Sequence, residues 1–142
     1  MKPQNYSNHF RFVPVYHYFN VLGTLILVIG SIVNLVKSTD DNFYDATLIL
    51  FGSLLLVFTT FFARTFSLKA QDRAIKAEEN FRHYILTGKA MESKLTVRQI
   101  IGLRFASDEE FPELAKRAVK ENLSEKDIKK DIKNWKADNY RV

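Results

Sequence analysis

FVPVYHYFNVLGTLILVIGSIVNLV (residues 12–36) carries no charged side chain, and neither does ATLILFGSLLLVFTTFFA (residues 46–63). A bilayer core about 30 Å thick needs ~20 apolar helical residues to cross it. Both stretches are near that length. They predict a membrane hairpin with spans at about 14–36 and 44–64, joined by a short acidic loop.

Charge divides across the hairpin. Lys2 and Arg11 precede the first stretch, and Arg64, Lys69, Arg73 and Lys76 follow the second. The loop holds one base, Lys37, against Asp40, Asp41 and Asp45. Basic flanks stay in the cytoplasm, because carrying them across during insertion is disfavoured. The expected topology puts both termini in the cytoplasm and residues 37–45 outside. The first stretch is long for a signal peptide, and no small-residue cleavage site follows it, so it reads as a retained anchor. No lipidation signal is present: Met1-Lys2-Pro3 lacks the glycine that myristoylation needs, and the chain has no cysteine. The absence of cysteine also excludes disulfides, thiolate metal sites and a cysteine nucleophile.

Phe12, Tyr16, Tyr18 and Phe19 crowd the start of span one, at the level where a ring can be half apolar and half wet. Pro14 stands where a missing N–H costs little. Asn20, Gly23, Leu27, Gly30 and Asn34 share one helix face, as do Gly52, Leu56, Thr59 and Ala63 in span two. Small residues let backbones approach closely in lipid, and amides bond across such a seam. These positions are expected to pack the two spans against each other, with a seam for a foreign partner as the alternative.

No breaker follows span two. Helix formers fill residues 64–87, so one helix of roughly 65 Å is expected from about 44 to 87, stopped by Gly88. Phe66, Ala70, Ala74, Ala77, Phe81 and Tyr84 or Ile85 form a stripe along it. Three short amphipathic helices should follow. Thr96-Val97-Arg98-Gln99 has the form of a capping box for a helix through Phe105. Ser107-Asp108-Glu109-Glu110 would cap a second helix to about Asn122, its acids at the positive end of the dipole. Ser124 would cap a third to about Lys136. The fold class is therefore all-α: a hairpin domain at residues 1–65 and a cytoplasmic helical domain at 66–142. A domain of that size is marginal alone and leans on the membrane, a partner or a second copy.

Reaction chemistry is hard to find. His9, His17 and His83 are the only histidines. His83 stands one turn after Glu79, which reads as a partly solvated i,i+4 pair rather than an oriented base. There is no His-x-x-x-His pair, nucleophile elbow or phosphate loop. Consecutive acids such as Asp108, Glu109 and Glu110 point apart on a helix and make a poor metal site. No cofactor or metal ligand set is expected. Lys126, Lys129, Lys130, Lys133 and Lys136, with Trp135 and Tyr140, could touch nucleic acid. Residues 64–142 hold 18 bases against 13 acids, however, which is too dilute for a concentrated footprint. Arg64, Lys69, Arg73 and Lys76 are read as headgroup contacts, each worth ~1 kcal/mol near an anionic surface.

Gln4-Asn5-Tyr6 with Val13-Pro14-Val15-Tyr16-His17 resembles the start of a family of small bacterial two-span membrane proteins of unknown function. Phe66 to Asp72-Arg73-Ala74, Leu103-Arg104-Phe105-Ala106-Ser107-Asp108-Glu109-Glu110 and Ile132-Lys133-Asn134-Trp135 are similar to it as well. The likeness covers nearly the whole chain. It implies a bacterial inner-membrane location and supplies no catalytic residue, ligand or cofactor. The expected function is a non-enzymatic accessory subunit or adaptor that acts through helix packing. Its partners would be the lipid bilayer and a membrane protein or a second copy. Phe105, Phe111, Leu114 and Trp135 would form the core or contact face. The alternative is a membrane-tethered nucleic-acid module of three short helices.

Overall fold

The computed structural model describes residues 4–10 and 12–138. Lys2, Arg11 and Tyr140, weighed above for their charge or ring, lie outside the described residues. The fold is all-helical. A π-helical turn at Val15–Asn20 runs into α1 (Val21–Val36). Then come α2 (Phe43–Thr87), α3 (Val97–Leu103), α4 (Phe111–Lys120) and α5 (Glu125–Asp131). The chain forms two compact units. One comprises residues 12–67, and the other joins residues 4–10 to residues 68–138. The residues ahead of span one thus belong with the second unit, not with the hairpin domain to which the sequence reading assigned them.

The first unit contains the two helices long and apolar enough to cross a membrane, Val15–Val36 and the first half of Phe43–Thr87. Threonine and serine hydroxyls in α2 bond back to carbonyls one turn earlier: Thr59 to Leu55 at 2.8 Å and Thr65 to Phe61 at 2.8 Å. This leaves few polar groups needing water. The first candidate span departs from regular α geometry at its start. The Val21 N–H reaches the Tyr16 carbonyl, five residues back. The wider turn begins directly after Pro14, which has no N–H to offer the ladder.

The long second helix has the expected extent. It ends at Thr87, and Gly88 takes the left-handed conformation at φ +69° that glycine adopts without strain. Beyond it, Thr96 and Gln99 make both halves of the capping box that opens α3. Gln99 is buried, and its other amide end donates to the carbonyls of Ala118 and Leu123 at 3.2 and 3.0 Å. One side chain therefore starts α3 and holds the end of α4. Ser124 caps α5, accepting from the Asp127 N–H at 3.2 Å.

Two helix boundaries differ from the sequence reading. Ser107 does not cap α4, which starts at Phe111 with Glu110 at the cap position. The backbone at 105–107 is drawn instead into a short antiparallel pairing with 134–136. Ser107 N–H donates to the Asn134 carbonyl at 3.0 Å, and Lys136 N–H donates to the Phe105 carbonyl at 2.8 Å. Tertiary pairing overrides a local capping signal here. For the same reason α5 stops at Asp131 and not near Lys136: Ile132 is already extended, and Trp135 faces Ala106 across the pairing.

The core of the second unit is built on Phe105, Phe111, Leu103, Ile100 and Ile128, all essentially without exposure. Burying each such side chain is worth about 1.5–3 kcal/mol. Val97, in the first turn of α3, is exposed. Gly102 lets α3 and α5 touch. A Cβ there would stand 3.1 Å from the Glu125 carbonyl oxygen and 3.2 Å from Ile128 Cγ2.

Candidate functional site

The seam of the hairpin is not made by the residues that the sequence reading chose. Gly23, Gly30 and Asn34 are exposed, and so is Thr59; Asn20 and Gly52 are half-buried. A Cβ at Gly23, Gly30 or Gly52 would meet nothing within 4 Å. The buried positions are Ser31, Ser53 and Ala46. The Ser31 and Ser53 hydroxyl oxygens lie 3.1 Å apart. One donates to the other, while the second donates to a carbonyl of its own helix, Val28 at 2.8 Å or Leu50 at 2.7 Å. The contact stripe is turned by one residue from the expected one. Serine is as good as glycine for close approach when its hydroxyl is satisfied locally, and it adds an interhelical bond.

Lys69, Arg73 and Lys76 are exposed. Arg64 is half-buried, with its guanidinium 5.5 Å from the centre of the Tyr16 ring.

In the second unit, polar side chains are organised around Arg82. Its guanidinium donates to Glu79 at 2.9 Å, to Asp108 at 2.7 Å and to the Ala106 carbonyl at 2.7 Å. It also covers the Phe111 ring at 4.5 Å. Side chains of Arg82 and Glu79 are each only 11% exposed. The hydrogen bond from Arg82 holds the Asp108 carboxyl below its ordinary range. The planar fork of arginine suits this set of acceptors, which a lysine would not match. The sequence reading passed over Arg82. Its one signal was a base at i,i+3 to an acid on a helix face that also carries Ile75.

Two of the three acids expected to compensate the α4 dipole do other work. Asp108 binds Arg82. Glu110 accepts from the backbone N–H groups of Lys133 and Asn134, at 3.1 and 3.0 Å, and from the Asn134 amide at 3.1 Å. His83 is not paired with Glu79, which is taken by Arg82. The His83 ring N–H at Nδ1 donates to the Lys89 carbonyl at 2.9 Å and so fastens the chain reversal after α2. Arg104 is buried with its guanidinium 4.6 Å over the Phe105 ring and 3.3 Å from Asp138. Burial lowers its pKa, and the Asp138 charge opposes that shift.

Phe105, Phe111 and Leu114 are core residues, 0%, 0% and 5% exposed. Trp135 is half-buried, with its ring 5.1 Å from Phe105. Residues 4–10 lie against this group. The His9 ring stands 5.8 Å from Phe105 and 5.7 Å from Trp135. Its Nδ1 N–H donates to the Tyr6 carbonyl at 2.7 Å, which leaves Nε2 facing the Lys129 ammonium at 3.4 Å. Asp138 N–H donates to the Gln4 side-chain oxygen at 2.8 Å. The segment has no apolar periodicity, so nothing in its sequence announces this docking.

An open cleft of about 640 Å³ adjoins that segment, lined by Gln4, Asn5, Asp108, Lys133 and Trp135 among others. Its acids and bases balance. Among the described residues, no group of three His, Asp or Glu side chains is placed to hold a metal ion. The lysine face considered for nucleic acid is broken up: α5 ends before Lys133 and Lys136, and Lys129 pairs with Glu125 at 2.6 Å.

No curated protein and no solved structure matches this chain. The family of unknown function DUF6526 matches residues 1–142, and the chain belongs to that family.

Proposed function

We propose that this protein is a non-enzymatic two-span protein of the bacterial inner membrane that acts as an accessory subunit or adaptor. The observation that carries the membrane reading is the outward face of the first unit. Phe19, Ile26, Phe51 and Phe58 are 81%, 70%, 61% and 58% exposed. Water does not tolerate an apolar surface of that extent, and hydrocarbon does.

The grouping of residues 4–10 with residues 68–138 supports the hairpin topology. Those segments flank the two spans, so an even number of crossings leaves them on one side. The basic flanks favour the cytoplasm as that side. Arg64, Lys69, Arg73 and Lys76 then meet anionic headgroups where α2 leaves the bilayer. The adaptor role rests on what the second unit offers: a small core and tightly held turns. Its partner is a membrane protein or a second copy. A tagged full-length chain tests the reading. It should resist alkaline extraction from membranes and purify in mild detergent as an assembly. A soluble chain, or a lone monomer in detergent, contradicts it.

A further inference from the structure

α2 presents two faces within the second unit. Ile75, Glu79 and His83 are buried on one. The opposite face carries Ala70, Ala74, Ala77, Phe81 and Tyr84 at steps of four, three, four and three, with Ile85 on its flank. All six are exposed, and Phe81, Tyr84 and Ile85 are 68%, 56% and 65% exposed. Alternating steps of three and four are the spacing of a helix seam that packs on another helix. The alanines allow close approach at one end, and the large side chains supply apolar area at the other.

Charge identifies the occupant. Arg73 and Glu78 flank the stripe on opposite sides, both exposed. They stand five residues apart, which is the offset that brings oppositely charged flanking residues together across a parallel, in-register pair. We propose that the Ala70–Tyr84 face of α2 is the contact surface of a parallel dimer of this chain, with Arg73 of each copy paired to Glu78 of the other. This rests on the membrane reading above, because two chains inserted in the same sense meet here with their helices parallel. A two-fold axis then makes the seam self-complementary, so residue 77 faces residue 77.

The chain has no cysteine, so single cysteines report the contact directly in membranes holding the full-length protein. Under mild oxidation Ala77→Cys should form a disulfide-linked dimer, while Lys76→Cys, off the seam, stays monomeric. Ala70→Cys and Tyr84→Cys should each link only to themselves when the two are mixed. Glu78→Arg should lower the Ala77→Cys dimer by about fivefold through like-charge repulsion, and adding Arg73→Glu should restore it. The proposal is overturned if Ala77→Cys links no faster than Lys76→Cys, or if a mixed 70–84 link shows an antiparallel pair. It is also overturned by a monomer whose Tyr84→Cys is shielded by lipid from a water-soluble maleimide. Any of these results in a chain that still resists alkaline extraction defeats the dimer alone. Loss of that resistance defeats the membrane reading.

Discussion

The imidazole of His9 lies 5.7 Å from the indole of Trp135, although both candidate spans intervene between them in the sequence. The contact ties the start of the chain to the unit that follows span two. It joins Gln4 with Asp138 and Lys129 with His9 in one compact group. A chain that left the membrane on opposite sides before span one and after span two could not make any of the three.

Arg82 is the polar centre of that unit. Arg82→Ala should destabilise it by about 3–5 kcal/mol, because Glu79 would be left buried without its partner. Arg82→Lys should recover only part of the loss, since an ammonium cannot serve Glu79, Asp108 and the Ala106 carbonyl at once. Chemical unfolding followed by Trp135 fluorescence, the only tryptophan in the chain, measures both. Equal stability of Arg82→Ala and the parent would remove Arg82 from the account.

The same pair sets an acid response. Asp108 has its pKa depressed in the folded state, mainly by the hydrogen bond from Arg82. Its contribution is therefore complete above the ordinary carboxylate range and is lost as pH falls through the lowered folded value. Asp108 is 56% exposed, so the effect is modest. Asp108→Asn should be less stable than the parent at neutral pH, and the difference should shrink on acidification. A difference that grows toward low pH would contradict the sign.

The helix caps separate local from tertiary control. Thr96→Ala and Ser124→Ala should each cost about 1 kcal/mol, since each hydroxyl accepts a first-turn N–H. Ser107→Ala should leave the start of α4 unchanged, because Glu110 occupies that cap position. Amide exchange at the first turn of each helix reads the outcome. Accelerated exchange at the start of α4 in Ser107→Ala would restore the capping role.

In the hairpin, Ser31→Leu or Ser53→Leu should force α1 and α2 apart, as both side chains are at most 3% exposed and in contact. Gly30→Leu should be tolerated, because nothing stands within 4 Å of its Cβ position. Detergent-resistant pairing of the two spans is the readout. Greater damage from Gly30→Leu than from Ser31→Leu would return the seam to the glycine face.

These contrasts mark what could be read from residues alone. The two long apolar helices, candidate spans, were legible because charge exclusion acts over ~20 residues and needs no tertiary knowledge. Thr96, Ser124 and Gly88 were legible because capping is decided within a few residues. Ser107 misled, because its backbone is claimed by Asn134, a long-range partner that leaves no local trace. Arg82 looked like any helix-surface base, and only the fold shows its three acceptors. The seam was misplaced by one residue because glycine was weighted as the marker of close approach, and serine serves as well. Docking of His9 beside Phe105 and Trp135 had no periodic pattern to announce it.

The central claim is that the two flanks of the hairpin share one side of a membrane. Single cysteines at Ser7, Ser38 and the exposed Lys120 in sealed cells test it most directly, with a reagent that does not cross the bilayer. The account predicts labelling at Ser38→Cys only, with Ser7→Cys and Lys120→Cys reacting only after the membrane is opened. Labelling of either Ser7→Cys or Lys120→Cys in sealed cells, or different behaviour of those two, would contradict it.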